Sequence, residues 1–401
     1  MKTNKLPLLA QVSAAHWVSH FHMMVLPALM PLISAQRGIS YVEIGVALGV
    51  FNVVSALVQT PIGFAVDRIG PRRTLIAGLT LGSLCFLSLG LFTSYSWMLI
   101  AMALAGLANA VYHPSDYALL SRGIAENRMG RAFSVHTFSG FLGTAVAPAI
   151  LLAVASVTSI ELAFVLSGIF GLLTVPMLLG ERETLPSAAA QNKHSQVPKV
   201  AVFTLPILSL LVLFMLLNLS TNSIQNFSVT ALVNGYGMPL TEANLALTEA
   251  NLALTAFLFT SAFGVLAGGS LADKTRHHGM VATGSLVITA VLVAIVAMYT
   301  LPSLATILIL AVAGFLSGII APSRDMLVRN ASPAGAEGRV FGVVTTGFNI
   351  GGAGGPVVFG WLLDQGHPSA IFWSAVIFMV ITAVMALAQE LYSTRQRALT
   401  A

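Results

Sequence analysis

Five ionisable side chains interrupt otherwise apolar stretches of this 401-residue chain: His16, His20, His113, Asp116 and His136. His16 and His20 are four residues apart, so on a helix they share a face, one turn from each other. Asn109, His113 and Asp116 follow at i, i+4 and i+7 and make one polar stripe on another helix. At 1.5 Å per residue, His16 lies about 15 Å along from Leu6 and His113 about 13 Å from Arg122, so the two match in depth. His136 is about 7–8 Å from Arg131, close to the depth of Asp116. Imidazole titrates near pH 6.5 when unperturbed and responds to small changes in its surroundings. The five groups are therefore candidates for reversible proton binding. Two other readings stay open: neutral, hydrogen-bonded packing histidines, and an Asp116–His136 structural pair near a gate. His22 points off the His16–His20 face and reads as a packing residue.

A second set is polar but uncharged. Asn218, Asn222 and Gln225/Asn226 recur at i, i+4 and i+7/8, and Asn52, Gln59, Asn109, Tyr112 and Asn349 stand on other apolar segments. Amides in such segments must face partners or water. They are candidate substrate contacts, with interhelical hydrogen bonding as the alternative.

Composition says what kind of element holds these groups. Apolar residues make up 56% of the chain and charged residues only 8%, where soluble proteins carry about 25% charge. That excludes an ordinary cytosolic enzyme, a DNA-binding domain and a disordered scaffold. The single cysteine, Cys85, excludes a disulfide framework. A span needs about 20 apolar residues, and twelve segments qualify: roughly 6–33, 41–66, 74–93, 96–122, 131–155, 160–180, 203–233, 242–272, 280–299, 303–328, 338–364 and 368–391. The first is too long for a signal-peptide core and has no small-residue cleavage site, so it reads as a retained helix. All of the 19 Lys and Arg residues except Arg37 fall on the side of the N-terminus, which puts both termini in the cytoplasm. The net charge of +5 is thus a topology signal and not a nucleic-acid surface. A polar linker at 181–202 separates an N-terminal half, 1–180, from a C-terminal half, 203–401.

The halves repeat. Gly63-Phe-Ala-Val-Asp67-Arg68-Ile-Gly70-Pro-Arg72-Arg73 is answered by Gly269-Ser-Leu-Ala-Asp273-Lys274, Gly130-Arg131-Ala-Phe133 by Gly338-Arg339-Val-Phe341, and Pro114-Ser115 by Pro322-Ser323. Gly63, Asp67, Arg68, Gly70, Arg72, Asp273, Arg131 and Arg339 are suited to a conformational latch, in which Asp accepts from a helix N-terminus and Arg reaches carboxylates or lipid phosphates. Arg324-Asp325 reads as a gate or an anchor. Leu240–Ala246 is duplicated at 247–253, read as a two-turn extension of the eighth span.

Parallel six-helix halves related by an axis along the membrane normal are the architecture of major facilitator transporters, and the 63–73 stretch resembles that superfamily's signature loop. Within it, His16-Trp-Val-Ser-His20…Leu26-Pro27-Ala-Leu-Met-Pro31 and Tyr112-His113-Pro114 resemble the fosmidomycin-resistance-like branch. His20 stands where that branch often has an acid. Gly140, Gly143 and Pro148 match part of the superfamily's antiporter motif, whereas Ala147 and Leu151 replace expected glycines. The resemblance implies an all-α, twelve-helix transporter of the bacterial inner membrane that exports a small drug-like or antibiotic-like compound against protons. Proton-coupled uptake of a metabolite or organic anion, a uniporter and a non-transporting sensor are the alternatives. The expected partners are substrate, protons and lipid, with the chain a monomer. No Gly-x-x-x-x-Gly-Lys-Ser/Thr phosphate loop occurs, so ATP drive is not expected, nor an enzyme, a cofactor or a metal. The one pair with metal-like proximity, His277-His278, reads as a loop feature.

Overall fold

Pro27 and Pro114 shape the N-terminal half, because each breaks the helix that leads to it. A proline has no N–H to donate, and its ring crowds the carbonyl four residues back; those residues are Met23 and Ala110. The computed structural model describes residues 7–125, 129–179, 204–238, 249–275, 277–332 and 337–400. In it the first span is α1 (Leu8–Met23) followed by α2 (Val25–Arg37), and the fourth is α5 (Tyr95–Asn109) followed by α6 (Tyr112–Gly123). Each proline is the third residue of the new segment. Each of the two expected spans, 6–33 and 96–122, is thus a pair of helices meeting at a break.

The other spans are single helices: α3 (Tyr41–Ile69), α4 (Pro71–Leu91), α7 (Met129–Val157), α8 (Ile160–Leu178), α9 (Leu205–Tyr236), α10 (Glu249–Lys274), α11 (His278–Met298), α12 (Ser303–Ala331), α13 (Glu337–Asp364) and α14 (Ser369–Thr400). Their starts follow local chemistry. Ser40 and Glu43 form a reciprocal capping box at α3, and Ser94 and Ser159 accept from backbone N–H groups of α5 and α8. Gly70, at φ 102°, makes the α3–α4 turn that other residues enter only with strain. No strand occurs among the described residues. Among those same residues, eleven helical stretches are long and apolar enough to cross a membrane. A further helix, α13, has the length, 28 residues, but the run Gly351-Gly352-Ala353-Gly354-Gly355 dilutes its hydropathy. Large apolar side chains such as Leu173, Val291, Leu304 and Val384 are exposed on the exterior, as lipid contact requires. The protein is an all-α, polytopic membrane protein.

The repeat seen in the sequence returns as a repeated contact. A Cβ on Gly106 would run into the Phe51 carbonyl oxygen, and one on Gly314 into that of Phe257. Glycine at these points lets α5 approach α3, and α12 approach α10, backbone to backbone. The halves meet chiefly where α3 packs on α13 and α7 on α10. Along the first seam Gly45 and Gly49 face the Pro356 and Ala353 carbonyls, and Gly360 faces that of Tyr41. At its end the Asp364 carboxylate accepts from the Tyr41 and Val42 backbone N–H groups at 3.0 and 2.8 Å, so an acid of one half caps a helix of the other. The linker and most of the duplicated heptad lie outside the described residues; its last five residues, from Glu249, open α10.

Candidate functional site

The site begins with two glycines on α7. A side chain at Gly140 would meet His16 Nε2 at 2.6 Å and His20 Cδ2 at 2.9 Å, and one at Gly143 would run into the Trp17 carbonyl oxygen. Their absence brings α7 against α1, and Ser139 Oγ donates to the Ser13 carbonyl at 2.8 Å to hold the pair. His136, Gly140 and Thr144 are spaced by four along α7 and run beside His16 and His20 on α1. The His16 and His136 rings stack with centroids 3.9 Å apart, and His20 meets His16 edge-on at 4.6 Å.

Asp116, on α6, closes the cluster. Its Oδ2 lies 3.4 Å from His16 Nδ1 and 3.6 Å from His136 Nε2. The three side chains are buried, and neither Asp116 oxygen has a hydrogen-bond partner. His113 stands at the edge, its ring 5.6 Å from His16 and 6.0 Å from Tyr117. The five residues expected to handle protons thus form one cluster, in which Asp116 meets the nitrogen edges of the stacked His16 and His136 rings. The sequence expectation that His277-His278 is the only metal-like group is corrected here. His277 pairs instead with Glu390 at 3.0 Å, and the ligand atoms of His16, Asp116 and His136 lie within 4.8 Å of one another.

His20 leads outward from this cluster. Thr144 Oγ1, 3.0 Å from His20 Nδ1, also reaches the Gly140 carbonyl at 3.3 Å, so the hydroxyl donates to the carbonyl and accepts from the imidazole. Both residues line a cavity of about 150 Å³ between the halves. Asn52, Asn218, Asn222, Gln225 and Asn226 line it too, alongside Met23, Met24, Met102, Phe51, Phe141 and Leu258. On α9 the amides form a ladder: Asn226 donates to Asn222 Oδ1 at 3.0 Å and Asn222 to Asn218 Oδ1 at 2.5 Å. Asn218 Nδ2 is left as a donor at one end and Asn226 Oδ1 as an acceptor at the other.

Four expected substrate contacts lie elsewhere. Asn109 closes α5 at the break and donates to Ser55 Oγ at 3.1 Å. With Tyr112 it lines a separate crevice of about 10 Å³ beside His22. Gln59, two turns past Asn52 on α3, and Asn349, on α13, are not among the residues that line the cavity. His22 turns away from the amide-lined cavity, and its Nε2 bonds the Ser167 carbonyl at 2.9 Å. Arg72 is buried within its own half, donating to Gln11 Oε1 at 2.7 Å and to the Leu178 carbonyl at 3.0 Å. Gly63 and Gly70 fall on the last turns and cap of α3, and Arg68 is exposed there. The side chains of Asp67, Arg131, Asp273 and Arg339 lie outside the described residues. Arg324 bonds Asp325 at 2.9 Å and lies 4.9 Å from the centres of both the Phe214 and Phe348 rings, an anchor within the C-terminal half. The methionines of the cavity carried no sequence signal beyond apolar periodicity. The four-residue spacing of His136, Gly140 and Thr144 was the available sign for α7.

The Major Facilitator Superfamily family model matches residues 12–247 and 222–397. The chain belongs to the major facilitator superfamily. Its relatives include an uncharacterised transporter of that type, YfnC of Bacillus subtilis, 25% identical over 400 residues that cover 96% of this chain and 93% of the relative. The fosmidomycin resistance protein of Escherichia coli is 25% identical over 276 residues, 67% of this chain and 65% of the relative. In fold, the chain resembles a bacterial homologue of the human lysosomal transporter Spinster, solved inward-facing and occupied, with a TM-score of 0.77 at 13% identity, covering 95% of this chain and 96% of that one.

Proposed function

We propose that this superfamily member is a proton-coupled exporter of a small, drug-like or antibiotic-like organic compound in a bacterial inner membrane. The observation that carries this is the position of His20. It lines the amide-bearing cavity with one edge and meets His16 with the other, so a single imidazole joins the substrate side to the buried acid. Protonation of the cluster gives Asp116 a charge partner in His16 or His136 and draws α1, α6 and α7 together. Deprotonation removes that attraction. Substrate binding between Asn52 of one half and the α9 ladder of the other senses the same helices through His20 and Thr144.

The amides suit a neutral or weakly charged substrate that both donates and accepts hydrogen bonds. At about 150 Å³ the cavity is below the roughly 300 Å³ where small-molecule pockets begin, so loading requires the halves to separate. The capping of α3 by Asp364 lies at the end that the Lys/Arg distribution assigns to the outside, with both termini cytoplasmic. On that orientation the outer seam is shut and must open for export. Gly63, Asp67, Arg68, Gly70, Arg72, Asp273, Arg131 and Arg339 then serve the inner latch. The likeness to the fosmidomycin resistance protein supports the direction of transport. The second reading is proton-coupled uptake of an organic anion, favoured by four imidazoles lying close enough together to present positive charge when protonated.

Proton flux in proteoliposomes under an imposed substrate gradient, across a panel of antibiotics and organic acids, decides between them. Alkalinisation of the compartment that receives the substrate means antiport and export. Acidification there means symport and uptake. Transport without proton flux returns the histidines to packing roles.

A further inference from the structure

We infer that His16, Asp116 and His136 form a binding site for one divalent transition-metal ion. A tetrahedral ion with bonds of about 2.1 Å sets its ligands about 3.4 Å apart. Asp116 Oδ2 lies 3.4 Å from His16 Nδ1 and 3.6 Å from His136 Nε2, and the third separation is within 4.8 Å. A small turn of the His136 ring, whose two nitrogens carry no other hydrogen bond, shortens that last edge. The donors come from three helices, α1, α6 and α7, so the ion would pin the broken fourth span to the first and fifth.

The surroundings point to a cation as well. His16 Nδ1, both Asp116 oxygens and both His136 nitrogens are buried without a hydrogen-bond partner. Buried polar atoms are costly when unsatisfied, and an unpaired carboxylate most of all. A proton satisfies one contact among these groups, whereas a metal ion satisfies three together. Two imidazoles and one carboxylate suit zinc, cobalt or nickel; magnesium and calcium take all-oxygen sets. His113, at the edge of the cluster, leaves a fourth position open for itself or for water. Access runs from the cavity past His20.

Cobalt(II) is the probe, because its visible ligand-field bands report coordination directly. Tag-free protein in nanodiscs is titrated with Co²⁺, desalted, and assayed for retained metal. We expect about one retained equivalent, with intense tetrahedral-type bands that Zn²⁺ bleaches. Asp116→Asn and His136→Gln should weaken binding beyond the roughly 10–100-fold that losing an outer-shell partner costs, while His22→Gln, a buried histidine outside the cluster, should retain it. His16→Cys supplies a thiolate at the same position and should add a sulfur-to-cobalt charge-transfer band, a gain of signal that a misfolded variant does not produce. Absence of retained cobalt in the wild type overturns the site. Bands that persist in Asp116→Asn and His136→Gln overturn it too, by assigning the metal to surface histidines. Metal binding is read without transport, so its failure leaves the export proposal standing, and failure of proton coupling leaves the metal site standing.

Discussion

The two halves share a backbone plan and differ in the charge they hold at equivalent points. Pro114-Ser115-Asp116 of the fourth span corresponds to Pro322-Ser323-Arg324 of the tenth. Asp116 lies beside the stacked rings of His16 of the first span and His136 of the fifth, buried and without a hydrogen bond. Arg324 lies against the paired rings of Phe214 of the seventh and Phe348 of the eleventh, bonded to Asp325. One half thus surrounds an acid with titratable rings, and the other surrounds a base with rings that cannot titrate. The C-terminal position is held by an ion pair and two aromatic rings. The N-terminal position has protonation states to choose among. The neutral ladder of Asn218, Asn222 and Asn226 fits the division of labour proposed above, with substrate contacts assigned to one half and proton exchange to the other.

The largest expected effect tests that division directly. Asp116→Asn should lower proton-driven transport by 100-fold or more while the protein stays folded, whereas Arg324→Gln should act mainly on stability, by about 2 kcal/mol from the lost ring contacts and ion pair. Flux and thermal unfolding measured on both variants settle it: equal loss of coupling in the two, with both folded, dissolves the contrast. Next in size are the glycines. Gly140→Ala drives a methyl group into His16 and His20 and should cost about 1–3 kcal/mol by overpacking, together with most of the proton coupling. Gly314→Ala meets the Phe257 backbone and should cost at least as much stability, yet leave the ratio of protons to substrate unchanged. A shifted stoichiometry in Gly314→Ala would extend the coupling machinery into the second half.

Asn222→Ala cuts the ladder in the middle. Losing hydrogen bonds worth about 1 kcal/mol should raise the substrate KM by about five- to tenfold, with an unaltered pH profile; a displaced profile would bring the amides into the proton path. The smallest effect is expected at the seam. A carboxylate at a helix N-terminus contributes about 0.3–1 kcal/mol, so Asp364→Asn should favour outward opening by no more than about fivefold. Accessibility of a cysteine placed on the Tyr41 side reads this shift, and an unchanged accessibility would mean that the glycine seam alone holds the halves shut.

Much of the site is legible in the sequence. The i, i+4 spacing of His16 and His20, and the i, i+4, i+7/8 amides of the seventh span, name residues on one face of one helix, and helical geometry guarantees that. Matching depths for His16 and His113 follow from a fixed rise per residue. Asn109 shows where such inference stops. It shares a stripe with His113 and Asp116 only if the fourth span is continuous, and the break at Ala110 takes its amide to Ser55. Tyr112 falls with it. Pro322 lies within the unbroken α12 at the equivalent point, where Gly318, against the Ser261 carbonyl, stands in the place of Ala110 of the other half. The same proline therefore has two outcomes, which the sequence around it does not announce.

By itself the sequence determined a membrane-spanning, duplicated, all-helical chain, the superfamily it resembles, and which residue types lie on each helix face. These follow from hydropathy, repeat spacing and the 3.6-residue period, which act along the chain. Only the tertiary structure decided how far each helix is rotated about its own axis, and so that Asp116 meets His16 and His136, that His20 bridges to the cavity, and that Asp364 caps α3 of the other half. Rotation is set by close contacts between helices, at Gly140, Gly143, Gly106 and Gly314, where a missing side chain admits a neighbouring backbone or ring. A glycine in the sequence does not say which neighbour it admits.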